Sequence, residues 1–225
     1  MRLRDGDEDL EALEIIDDEI FAVSEKNSRS DLITLQRQQE DDTLIPTMRY
    51  KIPTPAAEGM AYISTPNWFS DKNPRLVVAG VKSSGRDHLG NQMNDLFMDS
   101  FPIPLPESSL DDPISLPSAK INDKIFGGTL KDAKVSAMQY FDGLLYLLFD
   151  NAQVIRAFDD VGNMVHEIKL PIAVEGYEKQ WEGMRLQRKN GDLILHLALD
   201  SPPQVWSLKL TEKEGGLWEL PSCAS

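Results

Sequence analysis

One short motif recurs along this chain and restricts what it can fold into. Gln180-Trp181-Glu182-Gly183-Met184 returns as Ala57-Glu58-Gly59-Met60 and, more weakly, as Leu10-Glu11-Ala12-Leu13. Val135-Ser136-Ala137-Met138 stands where another copy is due, with serine in place of the glutamate. Glu58 follows Glu11 by 47 residues, and Glu182 follows Ser136 by 46. Ser136 follows Glu58 by 78, which is one repeat plus an insert. Self-similarity at a period of roughly 40–50 residues, with four strands in each unit, predicts a β-propeller blade.

The strand pattern within each unit supports this. In the third unit, Asp142-Gly143 is a turn signal, and Leu144 to Phe149 is an apolar run short enough for a buried strand. Gln153 to Phe158 alternates, and Met164 to Leu170 closes the unit before Pro171. The fourth unit matches it: a turn at Asn190-Gly191, a strand over Leu193 to Leu199, an alternating Gln204 to Leu210, and a closing strand before Pro221. No sustained helical period occurs anywhere. The expected fold is therefore all-β: a single domain over 1–225, with four blades of four antiparallel strands visible in the chain. The blades run over about 9–53, 57–130, 135–171 and 181–221, with an insertion at 86–126 carrying five prolines. That insertion is expected to lie over the surface as an exposed excursion. An antiparallel sandwich would also have many short strands. It does not account for motif starts in register or for the closing tails Lys51-Ile52-Pro53, Lys169-Leu170-Pro171 and Glu219-Leu220-Pro221.

The formal net charge is -14. That sign repels nucleic acid and anionic membranes and favours metal ions or cationic ligands. Most of the acid serves solubility. No apolar run is long enough for a membrane span. Met1 to Leu10 is charged and shows no secretion signal, so the placement is cytoplasmic by default, and extracytoplasmic if the chain is a piece lacking upstream blades. Cys223 is the only cysteine, so no internal disulfide forms.

The order of motifs resembles the SdiA-regulated family and the related esterase-like phytase propellers. The residues that carry the likeness are Asp142 to Asp150, Asp159-Asp160-Val161-Gly162, Lys169-Leu170-Pro171 and Trp181-Glu182-Gly183-Met184. It covers all four units, is best over Val135 to Leu210, and is absent from the insertion. The motifs are short and shared with the gluconolactonase and regucalcin class of six-bladed propellers. The resemblance implies innermost strands lining a central channel, whose carboxylates can hold calcium. By position, Glu11, Glu58 and Glu182 would be the metal ligands. Glu25, Asp150 and Asp200 would rim one mouth and, with Trp68 on its loop, form the binding residues. Ca²⁺ takes roughly six to eight oxygens. Ser136 breaks the ring, and the same glutamates would serve equally well as structural bonds between blades.

No motif identifies a catalytic residue. His88, His166 and His196 lack metal spacing, and no nucleophile elbow or phosphate loop is present. Trp181, Trp206 and Trp218 fall where blade-to-blade packing needs large apolar groups. Two functions remain open: a scaffold binding a small molecule or protein at the channel mouth, and a calcium-dependent hydrolase acting on an ester, lactone or phosphate ester.

Overall fold

A computed structural model describes residues 2–3, 9–26, 29–38, 40, 43–66, 72–86, 92–121, 134–150, 152–170, 181–199, 203–212 and 218–220. These residues form a four-bladed β-propeller and contain no helix, hence none long and apolar enough to cross a membrane. Blade 1 runs outward through β2 (Asp9–Ile16), β3 (Glu19–Lys26), β4 (Arg29–Arg37) and β5 (Thr43–Lys51). Blade 2 consists of β6 (Ala57–Ile63), β7 (Arg75–Arg86), β8 (Gln92–Pro102) and β10 (Ala119–Lys120). Blade 3 is β11 (Val135–Phe141), β12 (Leu144–Phe149), β13 (Val154–Phe158) and β14 (Met164–Lys169). Blade 4 is β15 (Trp181–Lys189), β16 (Asp192–Leu199), β17 (Gln204–Glu212) and β18 (Trp218–Glu219). Two short strands, β1 (Arg2–Leu3) and β9 (Ile114–Ser115), pair in parallel with separate halves of β5 and cover its outer edge.

The unbroken apolar runs in the middle strands have a simple cause. Each face of an inner blade packs on a different neighbour. On β7, Leu76 and Val78 enter the core shared with blade 1, while Val77 and Ala79 enter the core shared with blade 3. On β12, Leu145, Leu147 and Phe149 face blade 2, while Tyr146 and Leu148 join the core shared with blade 4. On β16 the alternation returns: Leu193, Leu195, Leu197 and Leu199 are buried, and Ile194, His196 and Ala198 are only partly covered. His196 pairs with Ser207 across the strands at 2.8 Å, a satisfied sheet residue. Three cores thus bridge successive blades. Between blades 4 and 1 the described residues share no apolar cluster, and Arg185 pairs there with Glu14 at 3.7 Å.

The expected insertion is corrected in its described part. β8 and β10 are regular strands of blade 2, and Leu96 and Met98 of β8 are fully buried. Polar flanks and prolines concealed them. Four of the five prolines belong to a strap, 103–118, that leaves blade 2, crosses to blade 1 and returns. Tyr50 donates to the Pro106 carbonyl at 2.9 Å, and Ser108 donates to the Arg49 carbonyl at 2.7 Å. Leu116 is buried in the core between blades 1 and 2. The strap is exposed along most of its length, as expected of a surface excursion, and it also ties blade 2 to blade 1.

Candidate functional site: the channel end built on four bulges

The recurring motif is a recurring β-bulge. Each innermost strand slips register against its neighbour at the same place: between Leu10 and Ala12, Ala57 and Gly59, Val135 and Ala137, and Trp181 and Gly183. The residues skipped are Glu11, Glu58, Ser136 and Glu182. A bulge leaves its extra residue out of the ladder and re-aims the side chain. Small residues follow because the strands approach closely there. A Cβ on Gly59 would come within 3.3 Å of Met138, and one on Gly183 would meet the Ala198 side chain at 3.0 Å.

The three glutamates are brought into one electrostatic cluster around Lys134. The Lys134 ammonium lies 3.6 Å from Glu58 Oε2 and 3.8 Å from Asp150 Oδ2. Glu182 and Glu11 both act on Glu58, and Glu182 acts on Glu11. Glu25 and Asp9 add their charge near Glu11. Lys134 is held protonated above the ordinary lysine value against the opposing effect of burial, by the charges of Glu58, Glu182 and Asp150. Burial raises the Glu58 carboxyl to about 7, opposed by Lys134 and reinforced by Glu182 and Glu11. Burial also raises Glu11, followed by its acidic neighbours. Converging carboxylates behave in this way when one positive charge must serve several of them.

Several of the expected site residues are engaged in holding blades together. Trp181, fully buried, is held by blade 3 at three polar atoms. Its backbone N–H donates to Asp150 at 3.1 Å, its carbonyl accepts from Ser136 at 2.5 Å, and its indole N–H donates to Gln153 at 2.8 Å. Asp150 is thus a buried latch, and Ser136, the exception in the motif, makes the bond a glutamate would not. Glu25 lines a cleft of about 570 Å³ between blades 1 and 2, beside Lys82, Phe97 and Lys120. Trp68 and Asp200 lie outside the described residues, as do His88 and Cys223. Trp206 packs edge-on to Trp181 with ring centroids 5.9 Å apart, and both it and Trp218 join the core. His166 binds the Trp218 backbone, tying the outer strands of blades 3 and 4.

As placed, these donors do not suit calcium. Among the described residues no group of three or more Asp, Glu, His or Cys side chains is positioned to share an ion. The cation between Glu58 and Asp150 is an ammonium supplied by the chain. Calcium at this end would need Lys134 to withdraw.

The raised Glu58 carboxyl gives a signed expectation. The folded state holds this proton up to about pH 7, whereas the unfolded chain releases it near 4.5. Stability is therefore fully present below about 4.5 and falls as pH rises towards 7. The loss is about 2–3 kcal/mol once partial contact with solvent is allowed for. Glu58→Gln should flatten that slope, matching the parent near pH 5 and exceeding it by about 1–2 kcal/mol at pH 8. Urea unfolding across this range reads it directly, and an unchanged slope in the variant would remove Glu58 as its source.

The comparisons with known proteins speak to architecture alone. No family model and no curated protein matches the sequence. Solved structures do match. One is a mutant of the GH43 protein BlXynB from Bacillus licheniformis, with a TM-score of 0.52 and 10% identity. The match covers 97% of this chain and 41% of that one. The chain is similar in fold to a propeller. At that identity the likeness carries no activity. A protein of unknown function from Bacteroides caccae aligns with a TM-score of 0.43 at 10% identity, over 95% of this chain and 60% of that one. Kluyveromyces lactis Hsv2 aligns with a TM-score of 0.37 at 9% identity, over 94% and 71%. The chain thus spans well under two thirds of the length of the first of these structures.

Proposed function

We propose that this chain is a β-propeller binding scaffold of the SdiA-regulated and phytase-like kind, taking a small molecule or protein at a mouth of its channel. The observation that carries this is Lys134. A hydrolase needs a carboxylate free to accept a proton from water, or a metal to activate that water. Here Glu58 and Asp150 face an internal ammonium, Asp150 also holds the Trp181 amide, and Ser136 is spent on the Trp181 carbonyl. Fold alone does not choose between roles. The engagement of these side chains supports a structural use for this end of the channel.

One observation favours the calcium-dependent hydrolase as a second reading. Glu58 Oε2 is buried and accepts no hydrogen bond within normal length. A carboxylate oxygen left in that state suits a cation closer than Lys134 now lies.

Thermal unfolding with excess Ca²⁺ against excess chelator separates the two. The scaffold reading expects no change in midpoint and no turnover of esters, lactones or phosphate esters. Calcium at about 100 times its Kd would add about 2.7 kcal/mol, a rise of several degrees. Such a rise, with turnover lost in Glu58→Gln and Glu182→Gln, would replace the scaffold by the hydrolase.

A further inference from the structure

The opposite end of the channel has a different chemistry. Its cavity of about 490 Å³ is lined from all four innermost strands: Glu14 and Ile15 of β2, Tyr62 of β6, Gln139 to Phe141 of β11, and Arg185 to Arg188 of β15. In a chain with a net charge of -14, two arginines face this one cavity. They are not equivalent. Arg188 is committed to Asp142 and Trp218: it binds one Asp142 oxygen through two nitrogens at 3.0 and 2.6 Å, and its guanidinium lies over the indole, 5.4 Å from the ring centre. Among the described residues Arg185 makes one ion pair, to Glu14 at 3.7 Å, and its side chain is 64% exposed. That is too long for a hydrogen bond. Glu14 meanwhile accepts from the backbone N–H of Tyr62 at 3.3 Å and of Ile15 at 3.2 Å, so its oxygens are already in use. The Arg185 fork thus stands over a cavity with its donors largely unspent.

We infer that this mouth is the ligand site of the scaffold and takes a small monoanionic carboxylate with an apolar or aromatic body, anchored by Arg185. A guanidinium meets a planar carboxylate with two parallel charge-assisted hydrogen bonds that a neutral amide does not match; phosphate fits the fork as well and is set apart here by its second charge. Glu14, 3.7 Å away, repels a second negative charge and so selects a monoanion over a dianion. Ile15, Tyr62, Tyr140 and Phe141 on the lining provide surface for the ligand's body. The floor is rigid: the Gln139 side-chain amide accepts from the Leu186 N–H at 2.5 Å and donates to its carbonyl at 3.1 Å, fixing β15 against β11 one residue from the anchor. A site held on paired strands loses little order on binding.

This inference rests on the scaffold reading. Benzoate is the probe, with benzamide and inorganic phosphate as controls, titrated into the full chain by calorimetry and thermal unfolding. Saturable benzoate binding is expected, with benzamide and phosphate each about tenfold weaker or more. Arg185→Gln should lose that preference, and Arg185→Lys, which keeps charge but not the fork, should fall between. Because Arg185 is largely exposed, both variants should fold, and unchanged urea midpoints without ligand check this. Equal binding of benzoate and benzamide, no benzoate binding, or full affinity in Arg185→Gln would each overturn the site. Benzoate binding abolished by Glu58→Gln instead would place the ligand at the bulge end, leaving the scaffold standing and this site refuted. Calcium-dependent turnover would bring down the scaffold itself whatever benzoate does.

Discussion

Gly80→Ala should abolish cooperative folding or cost more than about 3–5 kcal/mol, the largest effect expected of any single methyl group in this protein. A Cβ at this position would lie 2.1 Å from the Pro55 carbonyl oxygen, 2.8 Å from that of Ala56 and 2.9 Å from the Ala57 Cα. All three are backbone atoms, so no side chain can rotate away. The segment is also pinned from both sides. The Ala56 carbonyl accepts from the Val81 N–H at 3.2 Å, and the Ala57 N–H donates to Ser30 of blade 1 at 2.9 Å. Relief would require moving the bulge that positions Glu58 and the chain joining blade 1 to blade 2. Gly59→Ala is the control. Its added methyl meets Met138 Cβ at 3.3 Å, Val135 Cγ1 at 3.4 Å and the Ala137 carbonyl carbon at 3.5 Å, contacts that a shift of a few tenths of an ångström relieves. Urea unfolding followed by circular dichroism should show a mild loss of about 1 kcal/mol for Gly59→Ala and a lost or strongly shifted transition for Gly80→Ala. Near-parental stability of Gly80→Ala would mean that β7 and the 55–57 turn do not approach as described.

The contrast between these two glycines bears on what a sequence can reveal. Gly59 and Gly183 belong to a repeated motif, and repetition marked them before any coordinates. The motif's physical content, a bulge that turns one residue out of each ladder, was hidden, because register is a relation between strands. Gly80 looked like an ordinary strand residue in Arg75 to Val81, since its constraint comes from a turn more than twenty residues upstream. The blades were legible wherever both faces of a strand are buried, as in Leu144 to Phe149 and Arg75 to Val81. Blade 2's third strand was not, because Gln92 to Asp95 and the prolines after Phe101 mask the apolar Leu96 and Met98. The three glutamates were legible as a set. Lys134 was not: it belongs to no motif, and nothing in the sequence says that the residue before a strand will reach between Glu58 and Asp150. Arg185 was equally silent, since its meaning depends on which neighbouring charges are already satisfied.

Lys134→Met should decide what the carboxylates at the bulges are for. Methionine keeps an unbranched apolar stem and removes only the charge. At pH 8 the variant leaves Glu58, Asp150, Glu182 and Glu11 without the cation that offsets them. Breaking a largely buried pair costs about 3–5 kcal/mol, and the remaining solvent contact of Lys134, 29% of its side chain, brings the expectation to about 2–4 kcal/mol. The loss should shrink towards pH 5, where Glu58 is protonated in parent and variant alike and fewer negative charges converge. The double variant Lys134→Met with Glu58→Gln should recover much of the stability lost at pH 8, because it removes a charge from the same cluster. Calcium gives the sharper reading. With the ammonium gone, the oxygens of Glu58 and Asp150 face one another across a space that held a cation. If Lys134 stands in for a metal, Ca²⁺ should raise the melting temperature of the variant and leave the parent unchanged. A parent that responds to calcium as strongly as the variant would show that Lys134 does not occupy the place of the ion, and the channel would have to be read as a metal site after all. A variant with parental stability at every pH would show instead that the cluster contributes nothing to closing the blades around their axis.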